Sequence, residues 1–336
     1  MTTTPTATAP PSAAEIAAQP WWRRAIATPT VGPLLALLLA CIFFATQSDR
    51  FLTGGNFSLI IQQVMVVGTL AIGQTLIILT AGIDLSNGAI MALGSVVMTK
   101  LAVDGGLPPL LAILLGVAVC AAFGFANGML VTRVALPPFI VTLGMLNIAF
   151  ALVHIYSNEE TITGLPSAMT FFGNTFAIGE TRVTYGSVLT IILFLVSAYV
   201  LSQTAWGRRV YAVGSDKEAT RLNGVPVQRL LLSVYTLAGV IYGIAALLLV
   251  ARTSVGDPKA GQTDNLESIT AVVLGGTSLF GGRGAVLGTL VGALIVGVFR
   301  NGLQLMGVPS IYQILITGIL VILAVTVDQI SRRRTR

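Results

Sequence analysis

The longest stretch of this chain without an aspartate, glutamate, lysine or arginine runs from position 51 to position 83. A helix needs roughly 20 apolar residues to cross about 30 Å of hydrocarbon. Further charge-free runs at 25–48, 105–132, 134–158, 183–207, 230–251 and 301–327 also reach that length. Shorter clean runs at 85–99, 268–282 and 284–299 bring the expected number of crossings to about ten. In lipid every backbone N–H and C=O must be satisfied within the chain, and alternating strand patterns are absent. The expected fold class is therefore all-α, a polytopic membrane protein. Composition agrees: 10% of the 336 residues are charged and 54% hydrophobic, where a soluble domain carries about a quarter charged.

Basic residues collect on the inner side of membrane proteins. With ten crossings and the N-terminus inside, 13 of the 19 lysines and arginines fall on the inner side, Arg133, Arg208, Arg209, Arg283 and Arg332 among them. The net charge of +6 thus reads as a membrane flank, not a nucleic-acid patch. Residues 1–24, rich in Thr, Ala and Pro, are expected to be a disordered cytoplasmic segment with no cleaved signal peptide. Residues 25–330 form the transmembrane domain, and 331–336 a basic cytoplasmic tail. Two longer outer segments, about 157–183 and 252–266, are placed to meet an extracytoplasmic partner. Cys41 and Cys120 lie inside predicted helices with no disulfide or metal spacing, and the sole histidine, His154, reads as interfacial.

One polar element interrupts the apolar pattern on the inner side, between Trp206 and Arg229. Ser215-x-x-Glu218 has the form of a capping box, and Asn223-Gly224-Val225-Pro226 that of a left-handed C-cap followed by a proline. A two-turn helix is expected there, with Ala219 and Leu222 on one face and Lys217, Glu218 and Arg221 around it. It reads as a docking element or as an ordinary solvated loop.

The two halves are weakly self-similar. Asn127-Gly128-Met129 and Asn301-Gly302-Leu303 are followed, at the same spacing, by Gly144-Met145-Leu146 and Gly318-Ile319-Leu320. In the ten-crossing scheme these lie five crossings apart, which makes the repeat inverted, as in many transporters; glycine-rich helices can also resemble one another by chance. Crossings two and three meet at Thr80–Gly88, and crossings eight and nine at Leu274–Gly284.

Asp84 is the most deeply embedded carboxylate, flanked by the clean runs 51–83 and 85–99. Intramembrane ionisable groups default to a functional hypothesis; the preferred alternative is that Asp84 or Ser86 caps the start of the third crossing. Asp264 and Glu267 suit the outer start of the eighth. Polar side chains within the spans, Gln74, Asn127, Asn147, Asn301 and Gln313 among them, are costly against lipid. Each is interhelical glue or, taken together with Asp84, part of a path for a neutral hydroxylated solute. Paired buried charges of the kind proton or ion coupling needs are not evident.

The chain carries no G-x-x-x-x-G-K-[ST] phosphate loop, so a transporter built on it draws energy from a separate ATPase. The alternative is a stand-alone secondary carrier or channel for a small polar solute. Three runs are specific. Gly82-Ile-Asp-Leu-Ser86, A-V-G-S-D-K-E-A-T-R-L-N-G-V at 212–225 and E-S-I-T-A-V-V-L-G-G-T-S-L-F-G-G-R-G at 267–284 together resemble the membrane permease of bacterial ribose/fructose-type sugar ABC importers. The resemblance covers roughly residues 30–330. It leans toward fructose permeases through F-I-V-T-L-G-M-L-N-I at 139–148, T-A-W-G-R at 204–208 and S-V-Y-T-L at 233–237.

The resemblance implies a transport subunit, not an enzyme, in the bacterial inner membrane with both termini cytoplasmic. It implies a homodimer with a second permease copy, a cytoplasmic ABC ATPase that binds ATP and Mg, and a periplasmic sugar-binding protein. This chain would hold no cofactor and no metal. The cargo is expected to be a pentose or hexose, fructose-like favoured. The coupling residues are Ser215, Asp216, Lys217, Glu218, Ala219, Arg221, Leu222 and Gly224. Thr220 and Asn223 stand where the family pattern usually has smaller residues.

Overall fold

The computed structural model describes residues 31–335. The segment 1–24 and the last residue of the 331–336 tail lie outside the described residues. In chain order the helices are α1 (Val31–Gln47), α2 (Gly54–Leu79), α3 (Asn87–Val103), α4 (Pro109–Thr132), α5 (Pro138–Ser157) and the single turn α6 (Ser167–Thr170). An antiparallel hairpin follows, β1 (Thr175–Ile178) and β2 (Thr181–Thr184). Next come α7 (Tyr185–Gln203), α8 (Ala205–Ser215), α9 (Lys217–Leu222), α10 (Val227–Thr253), α11 (Asp264–Leu274), α12 (Val286–Leu305) and α13 (Ser310–Thr335).

Six of these, α2, α4, α5, α7, α10 and α12, are long and apolar enough to cross a membrane. At about 1.5 Å per residue, the 26 residues of α2 and the 27 of α10 exceed the hydrocarbon thickness. These two form the buried centre of the bundle, while α4, α5 and α7 turn most of their apolar side chains outward. Outward-facing Leu110, Ile140, Ile155 and Leu195 are what a helix in contact with lipid presents.

Helices in lipid gain little from burying apolar surface against one another, so close backbone approach holds them together. The α4–α10 seam shows this. A Cβ at Gly124 would stand 2.4 Å from the Tyr235 carbonyl oxygen, and one at Gly239 would stand 2.5 Å from that of Cys120. Thr69 and Thr190 meet across α2 and α7 at 3.1 Å, and Thr75 and Thr289 across α2 and α12 at 2.9 Å.

Two long helices give way to short ones through non-helical segments. After α2 the chain turns back through residues 80–86 before α3. After α10 it folds through residues 254–263 before the 11-residue α11. Charge places this second segment outside the bundle, yet it packs inward: Gly256 sits against Thr99 of α3, and Gly261 against Gly88 at the start of α3. The charge-free run 301–327 is likewise not one helix, because Gly307, at φ +72°, and Pro309 separate α12 from α13.

The hairpin also departs from an all-helical expectation. Thr-Phe-Ala-Ile and Thr-Arg-Val-Thr pair across Gly179-Glu180, a two-residue turn with Gly179 at φ +59°, the type of connection that suits strand twist. It covers the first turn of α2: the Arg182 N–H donates to Ser58 Oγ at 2.7 Å, and the Glu180 backbone lies where a Gly54 Cβ would be.

If the α4–α10 seam sets the packing, Gly239→Val overpacks it at a cost of about 1–3 kcal/mol. Gly144→Val, at a position with open space around it, serves as the control. Equilibrium unfolding in mixed micelles checks this; equal stability of the two variants would remove the seam's role.

Candidate functional site

The segment 80–86 leaves the helix within the bundle, and its backbone groups need new partners. Asp84 supplies several. Its side chain is buried, and Oδ1 accepts from the Ser86 N–H at 2.8 Å and from the Ser86 hydroxyl. Oδ2 accepts from the Tyr242 hydroxyl of α10 at 3.3 Å. Asp84 therefore closes a local turn on Ser86 just before α3, and neither it nor Ser86 makes a side-chain cap bond to the helix itself. The Gln74 amide of α2, in the orientation that satisfies both its atoms, accepts from the Asp84 N–H and donates to the Asp84 C=O. Asn127 of α4 donates to Ser86 Oγ at 3.1 Å. Asn87 donates to Ser268 Oγ of α11 at 2.8 Å, and Asn265 donates to the Leu85 carbonyl at 3.1 Å.

Three of the expected path residues, Gln74, Asp84 and Asn127, thus belong to one buried polar network. It ties α2, α3, α4, α10 and α11 together at the two breaks. The Tyr235 hydroxyl, Asn87 Oδ1 and Asn127 Oδ1 are buried around it without a hydrogen-bond partner.

The other three path candidates lie apart. Asn301 donates to Asn56 Oδ1 at 2.8 Å, bonding α12 to the first turn of α2. Gln313 donates to the Val308 carbonyl at 2.8 Å and edges a hollow of about 300 Å³ between α11, α12 and α13. Asn147 is exposed midway along α5 and lines a separate cavity of about 370 Å³.

One ion pair joins α11 to α12, with its arginine partner 36% exposed. Glu267 in the first turn of α11 is buried, and both its oxygens lie 3.0–3.1 Å from Arg300 Nη1 of α12. The partners are 33 residues apart on different helices, so no local pattern announces the pair. Asp264 and Glu267 do occupy the first turn of α11, as the helix dipole favours.

On the opposite face lies the polar element. Thr204 caps α8 by accepting from the Gly207 N–H at 3.1 Å. The Trp206 indole donates to Ser233 Oγ of α10, and the Tyr211 hydroxyl to the Gly284 carbonyl. The expected Ser215–Glu218 capping box does not form. Ser215 ends α8, and Asp216 takes the cap, its Oδ1 accepting from the Ala219 N–H at 2.9 Å. Asp216 wins because α8 continues one residue further than the Gly214-Ser215 pair suggests. Glu218 instead pairs with Arg221, both its oxygens within 3.1 Å of Arg221 Nε. The guanidinium holds the Glu218 carboxyl below the usual glutamate range.

The C-cap is as expected, with Gly224 at φ +80°. Thr220 is the residue of α9 that turns inward, its hydroxyl bonded back to the Asp216 carbonyl at 2.7 Å. Ala219, Leu222, Lys217, Glu218 and Arg221 are all exposed, Leu222 by 74%.

This knob is seated on the network's end of the bundle. A Cβ on Gly214 would collide with the Leu79 carbonyl oxygen at 1.8 Å, and the Gly282 N–H donates to that same oxygen at 3.0 Å. Gly281 and Gly282, at φ +81° and +70°, bring the 277–284 loop against both Ala81 and Ser215. The Gly-Gly-Arg-Gly sequence is therefore the middle member of a three-way lock: end of α2, end of α8, start of α12. Beside it, a cavity of about 640 Å³ is bounded by Gly82, Pro138, Gly214, Glu218, Arg221 and Tyr235.

A multi-pass bundle with helices broken over a buried polar centre and a seated polar knob at one end is the architecture of a membrane permease. The sequence places it more narrowly. Residues 56–325 match the family described as branched-chain amino acid transport system / permease component, and the chain belongs to that family. It is 49% identical over 312 residues to the fructose import permease protein of Rhizobium meliloti, covering 91% of this chain and 87% of that one. It is 38% identical to the ribose import permease protein of Bacillus subtilis, over 89% and 92% of the two chains. To the L-arabinose ABC transporter permease protein of Azospirillum brasilense it is 34% identical, over 89% and 88%.

Removing Asp84 strands the donors that converge on it, at about 1–3 kcal/mol for each buried group left unpaired. Asp84→Leu is expected to lower unfolding free energy in micelles markedly. Asp84→Asn, which keeps a carbonyl acceptor for the Ser86 N–H, should lose distinctly less. Equal losses would mean that volume, not hydrogen bonding, sets the role of this position.

Proposed function

We propose that this chain is the permease subunit of an ATP-driven importer carrying a monosaccharide, a pentose or hexose with a fructose-like sugar favoured, across the bacterial inner membrane. The observation that carries the proposal is the α9 knob: exposed Ala219 and Leu222 ringed by Lys217, Glu218 and Arg221, rigidly seated on the Leu79–Gly214–Gly282 lock. An exposed apolar contact rimmed by charge is a partner site, and the partner of the proposal is a cytoplasmic ABC ATPase that holds ATP and Mg. Ser215, Asp216, Lys217, Glu218, Ala219, Arg221, Leu222 and Gly224 form or shape this contact. Force on α9 reaches the Asp84 network through Leu79, a short step along the chain.

Sugar cargo is supported over an amino acid by the relatives named above and by chemistry. A zwitterion needs charged partners in its pocket, whereas the cavity beside Asn147 is lined without any charged side chain. A periplasmic sugar-binding protein and a second permease copy complete the proposed assembly.

Ten crossings, with both termini cytoplasmic, fit this reading. The six long helices are joined by α1, α3, α11 and α13, with α3 and α11 completed across the membrane by the 80–86 and 254–263 segments. An inverted repeat is supported by the same pattern: long α2, break, short α3 in one half and long α10, break, short α11 in the other. This pairs the 80–86 break with 254–263 instead of with the Leu274–Gly284 turn.

Proteoliposomes holding the chain, its ATPase and its binding protein should accumulate a labelled monosaccharide only with MgATP on the cytoplasmic side. Accumulation by the purified chain alone, without nucleotide, would overturn the proposal in favour of a secondary carrier. Glu218→Ala/Arg221→Ala and Leu222→Asp should each cut uptake and ATPase association about tenfold or more. Fold stability should hardly change, because an exposed ion pair contributes little to it. Unchanged association would remove α9 from the contact. Glu218 has a lowered pKa in the folded chain, so the pair is intact at neutral pH. It is lost as pH falls through that lowered value, below the ordinary glutamate range.

A further inference from the structure

Asn147 poses a problem that lipid cannot solve. It lies near the middle of the 20-residue α5, about 14 Å from either end at 1.5 Å per residue, and its side chain is exposed on the outer face of this chain. Its Nδ2 donates to the Leu143 carbonyl one turn back at 3.1 Å, which leaves the carbonyl oxygen and one amide hydrogen open. A carboxamide at that depth faces protein or water, not hydrocarbon.

What stands beside it is a hollow of about 370 Å³, within the range of small-molecule pockets. One wall is α5, with Asn147 and Phe150; the facing wall is the 254–263 break and the start of α11, with Gln262 and Asn265. The start of α3, at Ala89, closes the floor. The hollow sits where both breaks meet: Asn265 holds the Leu85 carbonyl, and Gly261 abuts Gly88. Discontinuous helices near mid-membrane are where carriers place their cargo.

The lining has a particular chemistry. Two carboxamides, from Asn147 and Gln262, supply both donors and acceptors beside Asn265, whose amide is bonded to the Leu85 carbonyl and the Leu266 N–H, and no charged side chain is present. Phe150 adds an aromatic ring, which His154 flanks at 4.3 Å between centroids while its Nδ1 lies 2.9 Å from the Phe150 carbonyl oxygen. Vicinal hydroxyls suit the amides, and the C–H face of a sugar ring suits Phe150. Resting on the import reading above, we propose that Asn147, Phe150 and Gln262 form a sugar-contacting subsite of the translocation path, where α5 faces an aqueous lumen.

Two measurements on the same proteins test this. Asn147→Leu, Phe150→Leu and Gln262→Leu, each in the complete transporter in proteoliposomes, should lower initial uptake of labelled D-fructose or D-ribose about five- to tenfold. The ratio of the two sugars should shift, while binding-protein-stimulated ATP hydrolysis persists. Asn147→Cys, with Cys41→Ala and Cys120→Ala, should react with a membrane-impermeant methanethiosulfonate in the assembled complex, more slowly with sugar present. Labelling resolves the case in which a variant assembles poorly, because only assembled complex is scored. An unreactive thiol in that variant would overturn the lumen and assign this face to lipid or to a second copy. A reactive one in complexes whose uptake and sugar ratio stay within twofold of wild type would overturn sugar contact. Wild-type complex that carries neither sugar would sink the import reading, and this proposal with it.

Discussion

A helix that stops inside a membrane leaves peptide groups with no water to turn to, and the bundle is organised around meeting that demand twice. At residues 80–86 the donors and acceptors come from Asp84 and Ser86 within the break and from Gln74, Asn127 and Tyr242 on three neighbouring helices. At 254–263 the chain leans on α3, and Asn265 then reaches across to the first break through the Leu85 carbonyl. The 254–263 break meets its own needs through Asp257 and through paired bonds between Gly256 and Ile162. The first break draws α2, α3, α4, α10 and α11 to one point, and the long helices α2 and α10 are the most enclosed of the spans.

The polar centre and the α9 knob are linked by close backbone contacts. Gly214, Gly281 and Gly282 let the ends of α2 and α8 touch the 277–284 loop with no side chain between them. Contacts of this kind do not deform gradually, since a packed interface has discrete arrangements and not a soft range. The proposed coupling at α9 would use this close contact, in which the end of α8 meets the Leu79 carbonyl directly. The next residues along the chain are those of the break itself.

Much of the fold is readable because charge is so rare here. The runs 51–83, 105–132, 134–158 and 183–207 enclose α2, α4, α5 and α7 whole, and 230–251 covers most of α10. The start and stop signals of α9 locate it to within a residue or two. What stays hidden is whatever depends on the third dimension. Run ends marked by charge miss Gly307–Pro309, where backbone geometry and not charge ends the helix. Glu267 looks like a dipole-complementing residue and is also half of an ion pair with Arg300. The capping-box pattern is displaced by one residue, because Asp216 is a better-placed cap than Ser215. Of six path residues, three converge and three do not. Helices apolar on every face carry little signal for which side turns inward, so Asn127 and Asn147 look alike in sequence while one is bonded across to Ser86 and the other only to its own helix at Leu143. Tyr242, Ser268 and Asn265, all central to the network, carry no mark of it, since each looks like an ordinary residue of an apolar or capping segment. The hairpin is hidden too, because neither Thr-Phe-Ala-Ile nor Thr-Arg-Val-Thr alternates apolar with polar residues on either side of Gly179-Glu180.

That hairpin has a mechanical meaning. It grips the first turn of α2 through Ser58 and Gly54, and the three-way lock grips the last through Leu79. Between these clasps α2 is a continuous rod of about 39 Å at 1.5 Å per residue, with no proline among its 26 residues to let it hinge. Fastened at both extremities, it can tilt or slide only as one piece. In the proposed importer, such a strut would tie whatever seats against one end of the bundle to whatever meets the other.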